Sequence, residues 1–179
     1  DDVAILSSDT WEDHVAKIKI VLQRLQNANL KVNAPKSFFG QKEFEYLGYL
    51  LTPEGVKPME GKVMALQNLA PPKNIKQLRR FLGIVNYYRD MWMRRSHILA
   101  PLHRLQKKDV KYTWGPEEQR AFDNIKRVMS KETLLHYPDF NRPFEIHTDA
   151  SLRQIGAVIS QDNKPIAFYS RKLRDGQHN

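Results

Sequence analysis

Two acidic motifs in this chain have the residue types for divalent-metal chemistry. Asp1-Asp2 stands directly before the apolar run Val3-Ala4-Ile5-Leu6, and Asp149 precedes the small pair Ala150-Ser151 and, further on, Gly156-Ala157. Mg²⁺ takes hard carboxylate oxygens, and nucleotidyl transfer needs charge neutralised on the attacking and leaving oxygens. Adjacent aspartates beside a β-type run suit that chemistry, and they equally suit a solvated turn. Side chains alternate along a strand, so in the stretch 144–149 Glu145, His147 and Asp149 share one face while Phe144, Ile146 and Thr148 share the other. An acidic residue at such a strand end is either a metal ligand or the cap of a turn.

The charge distribution adds a third feature. Residues 58–112 carry 12 Lys/Arg against 3 Asp/Glu, a charge equal to the whole chain's +9, while residues 1–57 and 113–179 stand at −1 and +1. A phosphate-binding block thus lies between two near-neutral segments that hold the candidate metal ligands. It interleaves aromatics with cations in Tyr87-Tyr88-Arg89-Asp90-Met91-Trp92-Met93-Arg94-Arg95, so stacking and phosphate contact can act together. Lys76, Arg79, Arg80, Arg94 and Arg95 are the candidate phosphate contacts. The competing reading is a solvated helix face, with one or more of Tyr87, Tyr88 and Trp92 in a core. Gly83 sits inside a helical pattern, where glycine costs about 1 kcal/mol relative to alanine. Close approach of a ligand backbone or of a neighbouring helix would account for it. His97, His103 and His136 read as structural.

Length and composition set the frame for these groups. With 179 residues and 41% hydrophobic content, the chain can form one ordinary domain or two small ones. There is no cysteine, which excludes disulfides and thiolate zinc sites and fits a reducing compartment. No apolar run approaches the ~18–20 residues of a membrane span, and no charged-then-apolar leader opens the chain. A soluble intracellular protein is the expectation. The opening on Asp1 and the end at Asn179, just after a charged turn, lead us to expect a fragment that starts in mid-fold.

The elements that must position the candidates follow from periodicity. Thr10 and Asp13 have capping-box spacing, and Val15, Ile18, Val21, Leu22 and Leu25 predict an amphipathic helix over 11–29. Residues 30–33 and 43–51 favour strand, followed by a turn at Pro53-Glu54-Gly55. A helical period from 59 is stopped by Pro71-Pro72, and Asn74 with Gln77 caps a helix running to about 88. A short helix should follow Ala100-Pro101, and another runs from Pro116 to about 131. Residues 144–148, 155–160 and 166–170 read as strands, the last two joined around Asp162-Asn163.

Taken together, these segments resemble the reverse transcriptase of gypsy-class LTR retrotransposons across essentially the whole chain. Asp1-Asp2-Val3-Ala4-Ile5 is similar to the end of the Tyr-x-Asp-Asp polymerase motif. Leu30-Lys31-Val32-Asn33 with Phe38-Phe39-Gly40 and Phe44-Glu45-Tyr46-Leu47-Gly48-Tyr49 resembles the palm segment and primer-grip hairpin. Pro71-Pro72, Leu78-Arg79-Arg80-Phe81-Leu82-Gly83 and Asn86-Tyr87-Tyr88-Arg89 resemble the thumb. Phe144-Glu145-Ile146-His147-Thr148-Asp149-Ala150-Ser151 resembles the opening of the ribonuclease H domain.

The resemblance implies an α+β fold: the C-terminal part of a palm over 1–57, a basic helical thumb over 58–137, and the first β-strands of a ribonuclease H-like domain over 138–179. It implies Asp1, Asp2 and Asp149 as catalytic metal ligands, with two Mg²⁺ or Mn²⁺ ions per active site. Tyr46, Leu47, Gly48 and Tyr49 would help place the primer end. Lys76, Arg79, Arg80, Gly83, Arg94 and Arg95 would contact nucleic acid. The implied partners are RNA template, DNA primer, RNA–DNA hybrid and deoxynucleoside triphosphates, with no membrane and with a homodimer left open. The implied location is a cytoplasmic particle or the nucleus. The family's other carboxylates are absent from this chain, so the expectation is that it catalyses neither reaction alone. The rival readings are a non-catalytic nucleic-acid-binding remnant and a structural subunit of a polymerase dimer.

Overall fold

The computed structural model describes residues 2–7, 10–92, 95–131, 133–152 and 154–173. Helix α1 (Trp11–Asn27) starts where Thr10 accepts the Asp13 N–H at 3.3 Å, yet none of its residues is buried. The expected strand at 30–33 does not form; the stretch is irregular and leads into a short 3-10 turn, Ala34–Lys36. A strand needs a ladder partner, and no described segment pairs there.

The stretch 43–51, which alternation alone reads as one strand, is a hairpin, as the resemblance implies. Strands β1 (Phe44–Tyr46) and β2 (Tyr49–Thr52) pair antiparallel around Leu47 and Gly48, whose φ angles are 45° and 76°. Two successive left-handed residues match the right-handed twist of the flanking strands. Strand β3 (Gly55–Pro58) pairs with β2, and its outer edge takes β4 (Leu135–His136), giving the order β1-β2-β3-β4. The two-residue β4 was not expected, because a strand that short carries no alternation to read.

Four helices follow: α2 (Glu60–Gln67), α3 (Ile75–Tyr87), α4 (Arg95–Arg104) and α5 (Pro116–Met129). Asn74 caps α3 by accepting the Gln77 N–H at 3.0 Å, as its spacing predicts. Helix α2 ends before Pro71-Pro72 is reached. Helix α4 starts before Ala100-Pro101 instead of after it, so Pro101 lies inside the helix and leaves the carbonyl one turn earlier without its usual donor. Leu66, Leu78, Phe81, Leu82, Val85, Leu99, Leu102, Phe122, Ile125 and Met129 form one buried core between these helices.

Polar contacts tie the helices together at their ends. Arg104 donates to Glu117 at 2.7 Å and to the buried Glu118 at 3.0 Å, while Glu118 accepts the Gly115 N–H at 3.0 Å and so caps α5. Burial alone pushes the Glu118 carboxyl up; the backbone N–H groups and Arg104 outweigh it and hold the carboxyl below its ordinary value.

The second sheet has the order β5-β6-β7, from β5 (Glu145–Ala150), β6 (Gln154–Gln161) and β7 (Lys164–Lys172). Asp162 and Asn163 turn β6 into β7 with φ of 50° and 60°. Buried Gln161 braces the approach to the sheet: its side chain accepts the Asp139 N–H at 2.9 Å and donates to the carbonyl of Asp139 at 2.8 Å.

Gly55 is the tightest point of the first sheet. Its φ is 155°, and a Cβ there would stand 2.1 Å from the Leu135 carbonyl oxygen. Gly55→Ala therefore must push β4 away or break the β3–β4 pairing. The expected cost is about 3 kcal/mol, read as a lower urea midpoint; an unchanged midpoint would refute the pairing.

Candidate nucleic-acid interface

The two faces of α3 differ in chemistry. Leu78, Phe81, Leu82 and Val85 point into the core. Lys76, Arg79, Arg80, Gly83 and Tyr87 recur at three- and four-residue spacing, are exposed, and lie on the opposite side. Helix α3 carries no acidic residue, and Lys76, Arg79 and Arg80 have no ion-pair partner among the described residues. A Cβ built on Gly83 meets no atom within 4 Å. Of the two explanations for this glycine, a neighbouring helix is thereby removed among the described residues.

The end of α3 is joined to the β1–β2 hairpin. Tyr88 is 1% exposed and donates its hydroxyl to the Gly48 carbonyl at 2.7 Å. Tyr87 donates to the Leu47 carbonyl, and Tyr49 donates back to the Tyr87 carbonyl at 3.0 Å. The rings of Tyr49 and Tyr87 stack at 5.5 Å, and Trp92 meets Tyr88 edge-on at 5.7 Å. Tyr88 and Trp92 are thus core residues, whereas Tyr87 is half exposed. A Cβ on Gly48 would stand 3.0 Å from the Tyr87 hydroxyl. Tyr46, Leu47, Gly48 and Tyr49 therefore form one turn, held against the end of the cationic helix. The tyrosine bonds themselves were missed from sequence; the only signal is two adjacent tyrosines at the end of an amphipathic helix.

The remaining candidates lie elsewhere. Arg95 donates to the Asn86 side chain and is partly buried, with Nε lacking a hydrogen-bond partner. Desolvation lowers its pKa from the ordinary arginine value. Asp1 and Arg94 fall outside the described residues, and Asp2 is exposed. Asp149 lies on the exposed strand β5, and its neighbours alternate as expected, since His147 Nε2 stands 3.6 Å from Glu145 Oε2. Its hard oxygens suit a divalent cation, but among the described residues no three His, Asp or Glu side chains converge. A complete metal site is therefore not formed by these residues alone.

The chain is an α+β protein in which this helix and hairpin are joined to a second antiparallel sheet. Its fold is similar to that of the foamy viral protease-reverse transcriptase in complex with RNA/DNA hybrid, with a TM-score of 0.85 and 24% identity, over 97% of this chain and 24% of that one. The same foamy viral protein in complex with dsDNA gives a TM-score of 0.83 over 97% of this chain and 37% of that one, again at 24% identity. Residues 114–179 match the RNase H-like domain found in reverse transcriptase. The whole chain is 38% identical to the Transposon Tf2-3 polyprotein of Schizosaccharomyces pombe, and 99% of it is 37% identical to the Tf2-7 polyprotein of that yeast. The chain spans 14% of the length of each. By these matches the chain is similar to the reverse transcriptase and ribonuclease H region of retrotransposon polyproteins.

The hairpin junction has a pH signature. Burial, with lesser repulsion from Tyr87 and Tyr49, pushes the Tyr88 hydroxyl from its ordinary 10.0 up to about 12. The folded state keeps a proton that the unfolded state gives up, so this contribution is fully present below pH 10 and is lost as pH rises through about 12. The urea midpoint should fall between those values, and Tyr88→Phe should flatten the fall while lowering stability by about 1–2 kcal/mol at neutral pH through the orphaned Gly48 carbonyl. An equally steep alkaline fall in the variant would refute this role.

Proposed function

We propose that this chain is the template–primer-binding segment of an RNA-directed DNA polymerase with ribonuclease H activity. The observation that carries the reading is the outward face of α3, where three cations without ion-pair partners among the described residues surround a glycine with open space above it. Duplex backbone can approach a bare helix surface closely, and Lys76, Arg79 and Arg80 then reach phosphates on either side. The foamy viral structures, in complex with hybrid and with dsDNA, support duplex as the ligand. The hairpin turn around Leu47-Gly48 sits at the end of this face, where it would meet the primer terminus.

Residues 1–57, 58–137 and 138–179 would serve as palm, thumb and ribonuclease H parts. We assign Asp1 and Asp2 to a polymerase metal site and Asp149 to a nuclease metal site, each taking two Mg²⁺ or Mn²⁺ ions together with carboxylates from the rest of the protein. Such ions neutralise charge on the attacking and leaving oxygens of a phosphodiester. Deoxynucleoside triphosphates are the second substrate, and a cytoplasmic particle or the nucleus is the place of action. This chain alone binds and does not catalyse.

The test is primer extension on an RNA template by a polypeptide lengthened at both ends, beside the same polypeptide with Asp1→Asn. Extension that needs Asp1 and divalent metal supports the polymerase; salt-sensitive hybrid binding without extension moves the function to a binding remnant. Within the interface, Gly83→Ala has two opposite effects. It should stabilise the helix by up to about 1 kcal/mol, since the added methyl meets nothing in the fold, and yet weaken hybrid binding. Arg79→Gln or Arg80→Gln should lower the slope of log affinity against log salt by about 1 each. Gly83→Ala binding as tightly as the parent would remove α3 from the duplex interface.

A further inference from the structure

Helix α4 is preceded by a sequence without the usual capping residues. The residues before it, Trp92-Met93-Arg94, include none of the Ser, Thr, Asp or Asn side chains that take up free first-turn N–H groups. One of those groups is satisfied from the second sheet instead. The Ser96 N–H donates to Ser170 Oγ at 3.1 Å, and the two serine hydroxyls lie 2.5 Å apart. Ser96 Oγ also donates to Gln154 Oε1 at 3.3 Å. Gln154 stands on β6 and Ser170 on β7, so one residue at the start of α4 holds two strands.

The position of these bonds in the ladder gives them a second meaning. Ser170 pairs with Gly156, and Gly156 pairs with Asp149. Directly opposed residues of antiparallel strands carry their side chains to one face, so Ser170 and Asp149 share a rung and a face. Two strand spacings, about 10 Å, separate them, and Gly156 places no side chain between. On the other side of the seam, α4 buries Leu99 and Leu102 in the same core that takes the inner face of α3. A continuous run of packed elements thus links the cationic face of α3 to the rung of Asp149.

We propose that Ser96 and Ser170 are positioning residues, which set where the Asp149 rung stands relative to a duplex held on α3. The inference rests on the function proposed above and deepens it: the seam fixes the distance between the primer terminus and the cut in the RNA strand. Neighbouring nucleotides of one strand are spaced by about 3.4 Å along the duplex. A displacement of the rung by that amount moves the cut by one nucleotide.

The test uses the lengthened polypeptide and an RNA–DNA hybrid with a defined primer 3′ end and labelled RNA. Ser170→Ala should turn a fixed cutting distance into a spread of neighbouring distances while leaving the rate of primer extension at the parent value. Ser170→Thr, which keeps the hydroxyl, should restore the parent distance. Hydrogen exchange at the Ser96 amide should become several-fold faster in Ser170→Ala and stay slow in Ser170→Thr. Unchanged cutting distances in Ser170→Ala, or unchanged exchange at Ser96, overturns the proposal. A parent polypeptide that extends primers and never cuts hybrid overturns the nuclease reading and the positioning role with it. The exchange measurement then separates that failure from one in which the serines do not join.

Discussion

A two-residue hairpin turn leaves its own carbonyls outside the ladder, and the last turn of a helix leaves carbonyls without donors. In this protein each of these shortages is met by the other element. The hydroxyls of Tyr87 and Tyr88 satisfy the carbonyls of Leu47 and Gly48, and the hydroxyl of Tyr49 satisfies the carbonyl of Tyr87, the last residue of α3. Because Tyr88 is buried against Trp92, the turn is fixed to the core and not merely to a surface side chain. The place of the hairpin, the direction of α3 and the exposure of its cationic face all depend on this exchange.

Once the end of α3 is held, its two faces have fixed surroundings. The apolar side is committed to the helical core, so Lys76, Arg79 and Arg80 cannot rotate inward without exposing Leu78 and Leu82. The cations are held at a cost only in mutual repulsion, which a polyanion relieves. Burial is uneven along the chain. Helix α1 has no buried residue, and Phe38, Phe140 and Ile146 are 78%, 82% and 65% exposed. The stability of this chain therefore comes chiefly from the helices between, and the flanking apolar side chains have the character of docking surfaces.

What could be read from the sequence was whatever depends on nearby residues. The Thr10–Asp13 and Asn74–Gln77 caps, the apolar side of α3 and the alternation of Glu145, His147 and Asp149 are all properties of short windows, and the structure contains them. The alternation over 43–51 misled, although the resemblance implied a hairpin there, because Leu47-Gly48 lacks the Asn-Gly or Asp-Gly signal of a tight turn, and its left-handed pair is stabilised by tyrosines 40 residues away. Pro101 misled for a different reason. A proline near a helix start is the common case, but here the core residues Leu99 and Leu102 hold the helix through it. The partial burial of Arg95 was not legible, because charge is visible in a sequence and burial is not.

The second junction of the helical body repeats the chemistry of the first with the polarity reversed. At the end of α3 a tyrosine hydroxyl from the first sheet donates to a free helix carbonyl; at the start of α4 a serine hydroxyl from the second sheet accepts a free helix N–H. Only residues 88–94 separate the two helix ends. Both sheets are therefore fastened to neighbouring helix termini of one rigid core, one by the turn that would meet a primer end and the other by the rung that carries Asp149. A hydroxyl bonded to a helix terminus has little freedom in direction, so these bonds fix orientation more than they add stability. That is the property needed where two sites must act on one duplex at a constant spacing. It explains why side-chain hydroxyls stand at both junctions, tyrosine at the first and serine at the second, where groups without a hydroxyl would have left the helix termini unpaired.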